Sequence, residues 1–120
     1  MKNKLGLAFS AIILLVACAF ASPKGDAKGE TKQGIHFQNS TWENVLKIAK
    51  KENKLIFLDV YATWCPPCKA LKKSTFSNTE VGKFFNQNFV NVALDGEIGD
   101  GKILMQKYAL SGFPSLLFID

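Results

Sequence analysis

The sequence predicts an α/β domain, a sheet with helices packed on its faces. Three observations lead there. Leu55 to Tyr61 is a continuous apolar run broken only by Asp59, and a strand that does not alternate is usually buried on both faces, as in a parallel sheet covered by helices. Shortly before it, Trp42, Val45, Leu46 and Ala49 recur at i, i+3, i+4 and i+7, the period of a helix with one apolar side. Along the rest of the chain the two kinds of signal alternate, in the order β-α-β-α-β-α-β.

Each element has its own local signature. Ile35-His36-Phe37 is a short strand candidate, and Ser40-Thr41-Trp42-Glu43 then shows capping-box spacing, with Ser40 accepting from the first turn and Glu43 reaching back. The helix it opens runs through about Glu52. The strand after it ends near Tyr61, the next helix starts near Cys65, and Lys69 to Phe76 has helical character. A second capping-box spacing, Ser77-Asn78-Thr79-Glu80, opens a helix bearing Val81, Phe84 and Phe85. Phe89 to Leu94 reads as a strand, Ile103 to Leu110 as a short helix, Ser111 to Pro114 as a turn and Ser115 to Ile119 as a last strand. At 120 residues this is one domain at most, with no internal repeat.

The N-terminus carries an export signal. Lys2 and Lys4 form a basic start, and Leu5 to Ala17 is an apolar stretch shorter than the ~20 residues a membrane-spanning helix needs. Two processing routes compete over residues 1–21. Ala19-Phe20-Ala21 is a signal-peptidase site releasing a chain that starts at Ser22, whereas Leu15-Val16-Ala17-Cys18 resembles a bacterial lipobox in which Cys18 becomes the lipidated first residue. Lipidation, with cleavage before Cys18, is the favoured reading, because it accounts for the odd third cysteine. Residues 22–34, with three Gly, one Pro and three Lys, have no hydrophobic period and read as a flexible tether to the membrane. From Cys18 onward 13 Lys face 10 acids, and every basic residue is Lys, with no Arg. A scattered charge of this kind is a solvated surface, and nucleic acid is not an expected partner.

Chemistry concentrates in Asp59-Val60-Tyr61-Ala62-Thr63-Trp64-Cys65-Pro66-Pro67-Cys68-Lys69. The cysteine pair sits at a helix N-terminus, where free N–H groups and the positive end of the dipole favour a thiolate on Cys65. Cys68, three residues on, falls on the same face. Pro66 suits the first turn, and Pro66 and Pro67 together remove donors around the sulfurs. Trp64 beside the pair, and Lys69, Lys72 and Lys73 after it, suggest an accessible, electropositive sulfur. A structural crosslink would gain only about 2 kcal/mol from so small a ring. A zinc site needs four ligands, and beyond Cys65, Cys68 and His36 only Cys18 is on offer. Asp59 is either a buried acid with a raised pKa or a strand-end acid reaching water.

The pattern Asp59, Ala62, Trp64, Cys65, Cys68, Lys69, with Gly112-Phe113-Pro114-Ser115 before the last strand, resembles the thioredoxin superfamily from about Ile35 to Asp120. The Pro-Pro pair and the stretch Phe76 to Val81 make it more similar to exported thioredoxin-like disulfide reductases than to cytosolic thioredoxin. The resemblance implies a thioredoxin-like fold with a central mixed sheet over residues 35–120. The family normally continues with a further strand and helix, so the domain is expected to be incomplete after Asp120. It implies that Cys65 is the nucleophile, Cys68 the resolving thiol, Asp59 its proton acceptor, and Pro114 the cis-proline of the loop facing them. Trp64, Pro66, Pro67 and Phe113 would meet the substrate, although plain packing is the alternative for Trp64 and Phe113. The expected cofactor is none beyond a redox-active Cys65–Cys68 disulfide, with no metal. Expected partners are disulfide-bearing proteins and a membrane electron donor. The direction of electron flow stays open between a reductase, which the resemblance favours, and an oxidase or isomerase. A non-catalytic, lipid-tethered binding module is the third possibility.

Overall fold

A computed structural model describes residues 33–120. The export signal, Cys18 and all but the end of the tether lie outside the described residues. The elements are α1 (Trp42–Glu52), β1 (Leu55–Tyr61), α2 (Pro66–Ser74), α3 (Thr79–Asn88), β2 (Phe89–Asp95), α4 (Gly99–Lys107) and β3 (Ser115–Ile119). The three strands form one mixed sheet in the order β2-β1-β3. β2 runs parallel to β1, pairing Asp59 with Ala93, and β3 runs antiparallel, pairing Asp59 with Leu116. Among the described residues no helix is long and apolar enough to cross a membrane.

β1 is central, and five consecutive residues of it are buried, as its unbroken apolar run requires. Alternation sends Ile56, Leu58 and Val60 to one face, where they pack with Val90, Val92 and with Val45, Ala49 and Leu104 of α1 and α4. Phe57 points the other way, into Ile35 and Phe76, with Leu71 of α2 and Val81 and Phe85 of α3 around them. Helices therefore cover both faces, and β1 ends between them at the cysteine loop.

Several local expectations shift, each for a visible reason. The first strand is reduced to a single bridge between Phe37 and Asn91. The Ile35 N–H is held by the Phe76 carbonyl and the His36 N–H by Asn86 Oδ1, so neither is left for a ladder. The α1 cap is Thr41 rather than Ser40, and Glu43 pairs with Lys47 instead of reaching back. The apolar side of α1 is centred on Val45, Ile48 and Ala49, leaving Leu46 exposed. The α3 cap is Asn78, whose Oδ1 accepts from the Glu80 and Val81 N–H groups, because the Ser77 hydroxyl is turned back onto Lys73 and Ser74 carbonyls at the end of α2. α4 starts at Gly99, four residues before the expected Ile103. Its first turn lies so close to β2 that a Cβ on Gly101 would sit 2.0 Å from the Asp95 carbonyl oxygen, so the small residues that hide the helix in the sequence are what permit the contact.

Candidate redox site

β1 delivers Asp59 near its C-terminal end, a short turn follows, and Cys65 caps α2 with extended backbone geometry. Cys65 and Cys68 are joined in a disulfide with their Cα atoms 5.3 Å apart. Pro66 and Pro67 occupy the first two helical positions and carry no N–H. The Cys65 N–H is held by the Ala62 carbonyl at 3.2 Å. The Cys68 N–H is the remaining first-turn donor, and it points at Cys65 Sγ at 3.2 Å. That donor and the positive end of α2 favour negative charge on Cys65 over Cys68.

The expectation of an exposed attacking sulfur needs correction for the disulfide state. Cys65 is 2% and Cys68 8% exposed, because Ala62, Tyr61 and Phe113 pack around them. Exposure thus does not rank the two cysteines, and the hydrogen bond does. Trp64 lies outside this packing at 61% exposed, with its ring edge-on to Phe113 at 6.1 Å between centroids. Pro66 and Pro67 are exposed beside it. The Phe113–Pro114 peptide bond is cis, and Phe113 packs against the cysteine cluster.

Asp59 is 7% exposed, and its Oδ1 has no hydrogen-bond partner among the described residues. Burial raises its carboxyl from 3.8 to about 6, since removing water disfavours the charged form. A cleft of about 600 Å³ is lined by Asp59 and Cys68 together, with Tyr61, Thr63, Lys69 and Lys72 among the other walls. Asp59 is therefore enclosed by protein yet shares an open cleft with one of the two sulfurs.

This arrangement has counterparts. A family model described as thioredoxin-like matches residues 37–120. The chain belongs to the thioredoxin-like family. The solution structure of a Bacteroides thetaiotaomicron protein, described as a candidate disulphide-isomerase, is 44% identical over 72% of each chain, with a TM-score of 0.65. The thiol:disulfide interchange protein DsbD of Haemophilus influenzae is 34% identical over 74 residues, which are 61% of this chain but only 13% of that protein. A Thermus thermophilus thioredoxin shares the fold at 17% identity, with a TM-score of 0.63 over 72% of this chain and 65% of that one. This is a thioredoxin-like protein with a Cys-x-x-Cys disulfide, related to a region of DsbD.

Within the thioredoxin-like domain one side chain at the site escaped sequence reasoning. Glu97, in the turn between β2 and α4, accepts a hydrogen bond from Trp64 Nε1 at 3.1 Å. The residues are 33 positions apart and belong to no common motif. The available hint was topological: Asp95-Gly96-Glu97 follows a parallel strand, and loops at that end of α/β strands gather around sites.

Proposed function

We propose that this protein is an exported thiol-disulfide oxidoreductase that reduces disulfides in other proteins through Cys65 and Cys68. The observation that carries the reading is the disulfide at the N-terminus of α2, with the Cys68 N–H on Cys65 Sγ. In the reduced enzyme the Cys65 thiolate attacks one sulfur of a substrate disulfide, forming a mixed disulfide and expelling the first substrate thiolate, which takes a proton from water. Cys68 then loses its proton to the Asp59 carboxylate across the shared cleft and attacks Cys65 Sγ. The Cys65–Cys68 disulfide forms, and the second substrate sulfur leaves as a thiolate that takes a proton from water while Asp59 returns its own to solvent. Two electrons pass from the dithiol to the substrate, so a thiol donor must recharge the enzyme. The similarity to DsbD, a thiol:disulfide interchange protein, supports recharging by thiol-disulfide exchange, and we assign that role to a membrane electron donor. The apolar pair Trp64 and Phe113, with Pro66 and Pro67, forms the rim against which an extended substrate lies, beside the Pro114 loop.

The test is trapping. Cys68→Ser should accumulate mixed disulfides with partner proteins and Cys65→Ser should not; equal trapping by both would reverse the order of attack. Asp59→Asn should slow resolution of the mixed disulfide while leaving its formation intact. The equilibrium potential sets the direction. A value near about −270 mV marks a reductant, and one near about −120 mV marks the oxidase or isomerase that the likeness to the Bacteroides protein would favour. Location follows from the N-terminal sequence: export, with lipid attachment at Cys18 holding the domain at the cell envelope on its tether. Palmitate labelling that disappears in Cys18→Ala is the expected result, and label surviving that change would place the lipid elsewhere.

A further inference from the structure

Trp64 is the most exposed aromatic beside the cysteines, and an indole so free of packing has little to fix its orientation. Two contacts do so here. Its Nε1–H donates to Glu97 Oε2 at 3.1 Å, and its ring stands nearly perpendicular to that of Phe113 with the centroids 6.1 Å apart. Glu97 is itself held in place from below. Its N–H donates to Asp95 Oδ1 at 2.9 Å, and the adjacent Gly96 N–H donates to the Tyr61 carbonyl at 2.8 Å. The turn is also pressed against the other half of the rim, since a Cβ on Gly96 would come within 2.4 Å of Phe113 Cε1. One turn therefore abuts Phe113 through Gly96 and holds Trp64 through Glu97; Phe113 packs against the cysteine cluster, and Trp64 precedes Cys65 in the chain.

We propose that Glu97 is a positioning residue that fixes the Trp64 indole against Phe113, presenting a preformed apolar rim to a polypeptide disulfide arriving at Cys65. The proposal rests on the reading of Cys65 and Cys68 as the exchange site. Holding the indole in one orientation before binding removes the ordering cost from the encounter, so the effect belongs in KM for a substrate large enough to lie on the rim. A small disulfide reaching only the sulfurs has no use for it. Glu97 acts through its oxygen as an acceptor, which an amide oxygen can replace.

The experiment compares Glu97→Ala and Glu97→Gln, each in the full chain and recharged by reduced dithiothreitol, with insulin as the protein disulfide and bis(2-hydroxyethyl) disulfide as the small one. The indole N–H resonance of Trp64 is followed by NMR. Glu97→Ala is expected to raise KM for insulin about three- to tenfold relative to that for the small disulfide, to shift the Trp64 indole proton upfield and to speed its exchange with water. Glu97→Gln is expected to restore both readouts. The proposal is overturned if Glu97→Ala leaves the insulin KM unchanged, if both substrates slow in parallel, or if Glu97→Gln matches the alanine variant. Failure of the wild type on both disulfides would overturn the exchange reading instead, a separable result because the Trp64 resonance reports the hydrogen bond without turnover.

Discussion

Asp59, the proposed proton acceptor, sits where burial makes its charge costly. The folded carboxyl titrates near about 6 against 3.8 for the free group, so the folded state holds the extra proton between those values. Unfolding free energy therefore falls as pH rises through that window and stays lower above it. Removing the ionisable group should lift the penalty, about 3 kcal/mol at most, at neutral pH. Asp59→Asn is thus expected to gain stability over the wild type as pH rises from about 4 to about 7, by urea denaturation of the oxidised protein. A constant difference between the two across that range would show that Asp59 is not held protonated by the fold. The same pKa shift makes Asp59 a better-matched acceptor for a thiol proton than an ordinary carboxylate. Its identity as the single acid in a buried run was legible in the sequence, because burial and charge conflict there openly. Glu97 was not, because an exposed acid in a turn conflicts with nothing.

At the scale of elements, three of the four expected strands were readable almost to the residue, whereas the first strand, the helix caps and the start of α4 were not. β1 and β3 follow from apolar runs, and hydrophobic burial is a coarse force that composition records well. A cap depends on which of two neighbouring polar side chains turns toward the helix. Serine stands three residues before glutamate at both predicted capping boxes, yet Thr41 and Asn78 are the caps. Asn78→Ala should cost roughly 1 kcal/mol. Ser77→Ala should change stability by less than about 0.5 kcal/mol. Chemical denaturation in which Ser77→Ala proves the more costly would return the cap to the residue that the spacing suggested. α2 carries a different logic, since two prolines silence its first donors and leave one N–H for Cys65.

For the molecule as a whole, the site depends on β1 being clamped between two helical layers. Leu58 is fully buried in the face shared with α1 and α4, next to Asp59 in the chain. Leu58→Ala should cost about 2–5 kcal/mol. Leu46→Ala, on the exposed side of α1, should cost less than about 1 kcal/mol. Similar losses at both positions, measured by thermal unfolding, would mean that the layer over β1 is not packed as described. For a domain of ordinary stability the Leu58 loss removes a large share of the total, and the redox loop at the end of β1 would lose its support.

The sequence by itself determined the fold class, a strand buried on both faces, the cysteine pair at a helix start and a lone acid in the apolar run before it. Each of these follows from local chemistry: apolar runs, donors missing at prolines, and a charge where burial is demanded. The tertiary structure decided that both sulfurs are enclosed in the disulfide state, that Asp59 and Cys68 line one cleft, and that Glu97 reaches Trp64 across 33 positions. Those are meetings of separate segments. They are set by how three strands and four helices pack, and spacing along the chain carries no trace of them.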